Sequence, residues 1–282
     1  MKKFIRFLFF VLLFVLLILI YGRYIGTDGL TTKEYTINTK IDDSFNNLKI
    51  VHFSDLHYLR VNGKEKLEEV VKEINTINPD IVFFTGDLID KDYKLNNKNK
   101  EILINLLKEI NSKYGKYAVI GNHDYVKDEE LIKEIYSSSN FKLLKNEYDI
   151  IYGENNDKIF IGGLDTYSFN KSDINKVMEY FNTNEDINYK IILVHEPDYI
   201  DTINKNYNVN LVLSGHSHNG QINIPYIKNY LLPKGCKKYY ENYYKVDNTD
   251  LYISSGIGLS RINFRMFNPP SINFYRINKI TE

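Results

Sequence analysis

Short apolar segments that end abruptly in histidine, aspartate or asparagine constrain the fold of this 282-residue sequence more than any other feature. Runs such as LKIVHF (48–53) are typical of buried β-strands, because they are short, continuous and β-branched. Because ligands collect outside the carboxyl ends of strands in open α/β sheets, the polar side chains that follow are expected to converge at one edge. The polar motifs are SDLH (54–57), TGD (85–87), GNHD (121–124), VHEP (194–197) and GHSH (215–218).

Helical periodicity appears between these strands. Residues 64–78 place Leu67, Val70, Val71 and Ile74 on one face, which predicts an amphipathic helix. Further helices are predicted at 98–111, 128–137 and 172–181. Further strands are predicted at 157–165, 190–197, 210–218, 251–256 and 272–277. The alternation predicts an α/β domain with a partly parallel, then mixed, sheet.

The N-terminal segment differs in kind from the rest. A helix from Phe4 to Ile25 would rise about 33 Å, enough to cross a hydrocarbon core of ~30 Å. We therefore predict a transmembrane signal anchor over residues 1–25, followed by a linker and lead-in over 26–46 and the main domain over 47–282. A cleaved signal peptide is the alternative, although no A-x-A-like site follows the apolar run.

The charged residues predict the orientation of the anchor and argue against one class of binding partner. Lys2, Lys3 and Arg6 lie before the uninterrupted apolar run from Phe7 to Tyr21 and Arg23 lies close after it, so the positive-inside rule predicts a cytoplasmic N-terminus and an extracytoplasmic domain. Lys plus Arg equals Asp plus Glu at 36 each, which argues against nucleic-acid binding. We predict no protein partner. The single cysteine, Cys236, excludes an internal disulfide and a thiolate zinc site.

The spacing within the motifs suits metal binding. Asp55 and His57 are two residues apart, so in extended backbone they point the same way, and His216 and His218 repeat this arrangement. Imidazole, carboxylate and amide donors suit Mn, Fe, Zn or Co better than Ca. Each motif alone is common at turns, and His195 alone fits a buried core histidine equally well. Their joint occurrence at strand ends indicates a metal site.

The five motifs, in this order, resemble those of the calcineurin-like metallophosphoesterases over about residues 48–277. GHSHNGQINIP, with the later SSGIG and FRMFNPP, is similar to a membrane-anchored bacterial subgroup whose usual form is GHTHGGQ. Asn219 replaces the usual second glycine, and Ser271 stands where a glutamate is common. The resemblance implies a four-layer sandwich of two mixed β-sheets flanked by helices.

The resemblance also implies two divalent metal ions, with manganese favoured. Asp87 would bridge them. Asp55, His57 and His218 would complete the first site, and Asn122, His195 and His216 the second. Two carboxylates against two divalent ions leave a positive centre that suits a phosphate anion.

The expected activity is hydrolysis of a phosphodiester or pyrophosphate bond, with a cell-envelope lipid or a nucleotide-linked precursor as candidate substrates. His123 would donate a proton to the leaving oxygen and Asp124 would orient its imidazole, although a structural role for His123 is an alternative. Arg261 and Arg265 are candidate phosphate or head-group contacts, and a surface role fits them about equally well. The alternative function is a catalytically silent metal-binding scaffold of the same fold.

Overall fold

The computed structural model describes residues 1–60, 63–184, 186–225, 230 and 232–280. The strands are β1 Thr31–Thr39, β2 Leu48–Phe53, β3 Ile81–Phe84, β4 Gly115–Ala118, β5 Phe141–Leu143, β6 Glu147–Tyr152, β7 Lys158–Gly163, β8 Tyr189–Leu193, β9 Leu211–Ser214, β10 Tyr243–Val246, β11 Thr249–Ile253 and β12 Ser271–Lys279. The α-helices are α1 Lys2–Ile20, α2 Gly63–Ile77, α3 Asn97–Lys108, α4 Asn122–Lys127, α5 Glu129–Ser138, α6 Ile174–Val177 and α7 Ile200–Asn206. A π-helical turn covers Tyr21–Ile25, and 3₁₀ turns cover Asp43–Phe45, Glu154–Asn156, Tyr167–Phe169, Met178–Asn182 and Pro197–Tyr199.

Within these residues the strands form two mixed sheets of six strands each. The first has the order β1-β12-β2-β3-β4-β5, with β2 to β5 parallel and β12 antiparallel to β2. The second has the order β10-β11-β9-β8-β7-β6, with antiparallel strands β10 and β6 at its edges. The predicted sandwich of two mixed sheets flanked by helices is confirmed.

Residue alternation within the strands builds the four layers. In β3, Val82 and Phe84 face the helices α2, α3 and α5, whereas Ile81 and Phe83 face the second sheet. Both faces of the strand are therefore buried, which explains why IVFF is apolar at every position. A third apolar cluster packs α6 and α7 against the outer face of the second sheet.

One boundary differs from the sequence-based prediction. Residues 31–39, which the sequence placed in the lead-in, form β1 and pair in parallel with β12 from Thr31 to Thr39. The segment TTKEYTINT is mostly polar because β1 is an edge strand, and of its residues only Ile37 is fully buried. Polar edge strands are hard to distinguish from linkers by composition.

The N-terminal helix is exposed along its length. Among the described residues, Lys2–Ile25 is long and apolar enough to cross a membrane, with a mean hydropathy of 2.9. A signal sequence would satisfy the same criterion. Beyond the helix, the π-helical turn contacts the loop before β12, where the main-chain N–H of Arg265 donates to the Gly22 carbonyl at 2.9 Å.

Candidate metal centre

The loops that follow the strands of both sheets meet at one edge of the sandwich. β2, β3 and β4 are followed by Asp55, Asp87 and Asn122, and β8 and β9 by His195 and His216. The residues with positive φ there are Asp55 (52°), His57 (43°), Asp87 (58°), His216 (66°) and His218 (48°). This left-handed backbone is unfavourable for non-glycine residues, and such strain concentrates at functional sites.

The first donor group contains Asp55, His57 and His218. His218 Nε2 lies 3.3 Å from His57 Nε2 and 3.4 Å from Asp55 Oδ1. His57 Nε2 is also 3.6 Å from Asp87 Oδ2. All three side chains are buried and their ligand atoms lie within 4.8 Å of one another.

The second donor group contains Asp87, His195 and His216, so Asp87 is adjacent to both groups. His195 Nε2 lies 3.3 Å from Asp87 Oδ2, and His216 Nδ1 lies 3.2 Å from His195 Nε2. Asn122 Oδ1 is buried and has no hydrogen-bond partner among the described residues. Buried carboxylates and unpaired amide oxygens are costly unless a cation satisfies them. The side chains present therefore fit a pair of divalent ions.

Main-chain carbonyls orient the ligand rings. His195 Nδ1 donates to the Thr85 carbonyl at 2.6 Å, which leaves Nε2 as the lone-pair donor. His216 has the opposite tautomer, because its Nε2 donates to the Lys234 carbonyl at 2.8 Å and leaves Nδ1 for the centre. Both rings are thus held with their remaining nitrogen directed at the other donors.

Two further residues that the sequence analysis missed lie behind His57. Asp90 Oδ2 is 3.6 Å from His57 Nδ1 and accepts from Arg60 Nη1 at 2.6 Å. Burial opposes ionisation of Asp90, but hydrogen bonds from the Asp92 N–H and Arg60 keep its pKa lowered. The available signal was GDLID, in which a second aspartate follows Asp87 by three residues.

His123 lies beside the first donor group. Its ring is edge-on to that of His57, with centroids 4.7 Å apart, and its main-chain N–H donates to Asp87 Oδ1 at 2.8 Å. Nδ1 of His123 has no hydrogen-bond partner among the described residues. The His123, His57 and Asp87 ligand atoms also lie within 4.8 Å of one another, so the ring is close enough to be a ligand as well as an acid.

We predicted that the Asp124 carboxylate accepts a hydrogen bond from the His123 imidazole, and among the described residues it does not. The Asp124 carboxylate instead accepts the main-chain N–H groups of Asp87 at 2.8 Å, Leu88 at 2.8 Å and Gly121 at 3.1 Å. The reason is that α4 begins at Asn122, so Asp124 occupies the third position of a helix and turns back to cap it. Asp124 therefore shapes the loop that carries Asp87.

The two candidate arginines occupy different places. Arg265 is fully buried behind His218, and its Nη2 donates to the carbonyls of Ser255, Gly256 and Gly258 at 3.0, 2.8 and 2.6 Å. This guanidinium is committed to main chain, which disfavours the substrate contact predicted for it. Arg261 instead lines the cavity beside His216 and His218, as the sequence-based role requires.

Burial controls the protonation of the metal-free centre. It lowers the pKa of His57 to about 3 and that of His218 well below its ordinary value, so both rings are neutral, as metal ligands must be. Burial raises the pKa of Asp55 to about 7. Burial also opposes ionisation of Asp87, but the adjacent His195 and His123 hold its pKa well below the usual range.

Two cavities adjoin the centre. One, of about 610 Å³, is polar and is lined by Asp87, Asn122, His123, His216 and His218 together with the cations Arg60, Lys91 and Arg261. The other, of about 590 Å³, shares His216, His218, Pro233, Ser260 and Arg261 with it. Its remaining wall includes the apolar residues Ile222, Leu232 and Ile262. A charged group and an apolar group could therefore bind side by side.

Comparisons with known proteins agree with this arrangement. A family model described as calcineurin-like phosphoesterase matches residues 48–220. The uncharacterized metallophosphoesterase YkuE of Bacillus subtilis is 32% identical over 259 residues, covering 91% of this chain and 88% of that protein. A Bos taurus transmembrane protein with a metallophosphoesterase domain is 29% identical over 253 residues, covering 84% of this chain and 54% of that protein. The structure of a Thermus sulfate thiohydrolase, SoxB, has a TM-score of 0.50 at 13% identity, over 76% of this chain and 52% of that one.

Proposed function

Because the chain belongs to the calcineurin-like phosphoesterase family, we propose that it is a membrane-anchored hydrolase that cleaves a phosphodiester or pyrophosphate bond with two divalent metal ions. The observation that carries the proposal is the position of Asp87. Its carboxylate lies 3.6 Å from His57 Nε2 in one donor group and 3.3 Å from His195 Nε2 in the other. A carboxylate that lies between two donor groups can bridge two ions held about 3.5–4 Å apart, the separation that two-metal hydrolysis uses.

The residues that would hold the ions are the predicted ones. They are Asp55, His57, Asp87 and His218 for one ion, and Asp87, Asn122, His195 and His216 for the other. Bound there, two ions would neutralise phosphoryl oxygens and activate water as the nucleophile. The nitrogen and oxygen donors, without thiolate, favour manganese, iron, zinc or cobalt, and we propose manganese.

His123 is proposed as the proton donor to the leaving oxygen. It lines the polar cavity, and its Nδ1 has no hydrogen-bond partner among the described residues, so no bond fixes the ring in another role. The main-chain N–H of His123 meanwhile donates to Asp87, which keeps the ring next to the centre. Asp124 supports this geometry through the backbone of residues 87–89 rather than through the imidazole.

The cavity walls favour a substrate with more than one charged oxygen group and an apolar portion. Lys91 and Arg261 line the polar cavity and would bind a second phosphate or a diester substituent, whereas Arg60 in the same wall is already paired with Asp90 and the wall also contains Asp92. The apolar wall of Ile222, Leu232 and Ile262 would accept a hydrocarbon group. These features favour a lipid-linked or nucleotide-linked phosphoester of the cell envelope.

The anchor supports a location at the cell membrane. Lys2, Lys3 and Arg6 lie in the first turns of α1, before its uninterrupted apolar run, which favours a cytoplasmic N-terminus and an extracytoplasmic catalytic domain. A transmembrane relative with the same domain agrees with anchoring.

The test uses the full-length chain in detergent with Mn²⁺. Metal content and turnover would be measured on bis(p-nitrophenyl) phosphate, p-nitrophenyl phosphate and CDP-diacylglycerol. We expect two ions per chain and faster cleavage of the diester or the pyrophosphate than of the monoester. Asp87→Asn should lose both metal and turnover, whereas Asp28→Asn, at an aspartate whose side chain is 81% exposed, should change neither. Two bound ions without turnover of any of the three compounds would identify the protein as the silent scaffold.

A further inference from the structure

The end of the membrane helix is fixed to a loop of the catalytic domain. We call residues 259–268 the rim loop. Its Arg265 N–H donates to the Gly22 carbonyl at 2.9 Å, and its Phe267 ring lies 6.4 Å from the Tyr21 ring. A Cβ at Gly22 would come within 2.1 Å of Phe264 Cζ, so glycine allows the Phe264 ring to approach the turn closely. The π-helical turn at the end of the helix is therefore packed against the domain, whereas α1 itself is exposed.

The same loop reaches the metal centre. Ser260 and Arg261 line both cavities, and Arg265 Nη2 lies 3.5 Å from Nδ1 of the ligand His218. Gln221 fixes the loop from the other side, because its Nε2 donates to the carbonyls of Ile262 and Phe264 at 2.8 and 2.9 Å. One ordered loop thus joins the end of α1 to the site of chemistry.

Apolar side chains on this junction are exposed. Tyr24 and Ile25 are 67% and 62% exposed at the end of the span, and Ile262 and Phe267 are 49% and 62% exposed on the rim loop. Together with Tyr21 we call them the collar. Amphipathic aromatic rings concentrate at membrane–water interfaces, and Arg23, whose guanidinium lies 5.3 Å from the centre of the Tyr24 ring, could meet anionic head groups there.

We propose that the collar lies in the head-group region of a phospholipid bilayer, so that both cavities open at the membrane surface and take phosphoesters carried by lipids. The inference rests on the anchoring part of the proposed function. A bilayer is the favoured occupant because the collar continues directly from α1, a 19-residue apolar helix without buried residues. If α1 spans a membrane, Tyr21–Ile25 must lie at its surface, and Phe267 contacts Tyr21.

A second feature agrees with lipid as the source of the substrate. Ile262 belongs to the collar and also lines the apolar cavity with Ile222 and Leu232. The hydrocarbon portion of a lipid could therefore pass from the collar to the centre along a continuous apolar wall. The phosphate would then meet Arg261 and the metal ligands at the boundary between the two cavities.

The absence of tryptophan from the sequence allows a direct test of the collar. Phe267→Trp and the control Tyr152→Trp, at a 61% exposed tyrosine in β6, would each introduce a single tryptophan, whose fluorescence can be excited separately from that of the tyrosines. The full-length variants would be reconstituted into phosphatidylcholine–phosphatidylglycerol vesicles with and without brominated acyl chains. We expect bromolipid to quench Phe267→Trp at least about twofold, as for a side chain at the acyl boundary, and to leave Tyr152→Trp unquenched. Equal, weak quenching of both variants would overturn the proposal. So would protection of the Phe267→Trp side chain from bromolipid by contacts with a second copy of the chain.

A kinetic comparison separates this inference from the proposed function. Phe267→Ser should lose about tenfold in turnover of vesicle-borne CDP-diacylglycerol, through loss of apolar burial, and should keep the wild-type rate on bis(p-nitrophenyl) phosphate in detergent. Tyr152→Ser should keep both rates. Quenching of Phe267→Trp without turnover of either compound would support the position of the collar in the bilayer and contradict the proposed activity. Turnover of both compounds without quenching would reject the collar alone.

Discussion

At the residue scale, the donors of the centre depend on backbone that few residues adopt. Asp55, His57, Asp87, His216 and His218 all have positive φ. Gly86 is required between strand and ligand, because a Cβ there would lie 2.5 Å from the Gly121 nitrogen. The turns that bring the donors of the two sheets together therefore have a strained backbone, which the packing around them holds in place. Backbone strain of this kind is concentrated at active sites and ligand-binding sites.

His123 gives the sharpest residue-scale prediction. His123→Asn should lower kcat by roughly 10²–10⁴, the range for loss of a general acid, while two metal ions stay bound. The ions should stay because the main-chain N–H that holds Asp87 remains in the variant. Turnover and metal content measured on the same sample check both parts. Loss of one ion would instead identify His123 as a ligand, a role that its distance from His57 and Asp87 also permits.

His52 gives a prediction on pH. It is buried between Thr85 Oγ1 at 2.9 Å and Tyr275 Oη at 3.3 Å, and burial lowers its pKa to about 3. The unfolded chain therefore binds a proton below pH 6.5 that the folded chain does not, so stability falls as pH falls from 6.5 toward 3. Between pH 6.5 and 4.5, the free energy of unfolding of the metal-free wild type should fall by about 2 kcal/mol more than that of His52→Gln. Urea unfolding of both proteins at each pH measures the difference, and parallel curves would contradict it.

The sequence predicted which side chains belong to the site better than it predicted what some of them contact. SDLH, TGD, GNHD, VHEP and GHSH supply ligand-type residues at recognisable positions. The contacts of Asp124 and Arg265 were not predictable, because they depend on where α4 begins and on how the rim loop passes behind His218. Local residue type indicates chemistry, whereas a hydrogen bond to a distant carbonyl depends on the chain path.

At the element scale, Arg265 holds together the loop after β11 and the rim loop. Besides the carbonyls of Ser255, Gly256 and Gly258, it donates to the Asn268 carbonyl at 3.1 Å. Burial lowers its pKa to about 9, so the guanidinium is still charged at neutral pH. These charge-assisted bonds stabilise the backbone under His218 rather than a substrate.

Removing this guanidinium should therefore affect stability first. Arg265→Met leaves four buried carbonyls without their donor and should reduce the free energy of unfolding by roughly 3–5 kcal/mol. Arg261→Met is the matched control and should raise KM with little loss of stability, because Arg261 lines the cavities. Urea denaturation and steady-state kinetics on both variants distinguish the roles. If Arg265→Met were as stable as the wild type, the structural role would be contradicted and the predicted substrate contact of Arg265 would again be favoured.

Residue patterns predicted the central strands of the sheets and the amphipathic helices that cover them. They did not predict the edge strand β1. β2 and β3 were recognisable as strands because both faces are covered, so that β3 is apolar at every position and β2 at every position except Lys49 and His52. β1 is half exposed, and its partner β12 lies more than two hundred residues away in the chain. Nothing local in residues 31–39 distinguishes a polar edge strand from a linker.

At the scale of the whole molecule, the centre lies between the two sheets and close to the anchor. Asp55, His57 and Asp87 come from the first sheet, and His195, His216 and His218 from the second, so bound ions would link the two halves of the sandwich. The rim loop then links this centre to the end of α1. The proposed anchoring, binding and chemistry would thus depend on a few contiguous loops, and the side of the membrane would decide which substrates they meet.

The orientation across the membrane can be tested with introduced cysteines. Native Cys236 is buried, and burial raises the pKa of its thiol well above the ordinary value, so it should give little background. Ser138→Cys, at an exposed position of α5, should react with a membrane-impermeant maleimide in intact cells. Lys3→Cys, before the span, should react only after permeabilisation. We expect this because the cations in the first turns of α1 stay in the cytoplasm. Labelling of Lys3→Cys but not Ser138→Cys in intact cells would instead place the metal centre, and its substrates, on the cytoplasmic side.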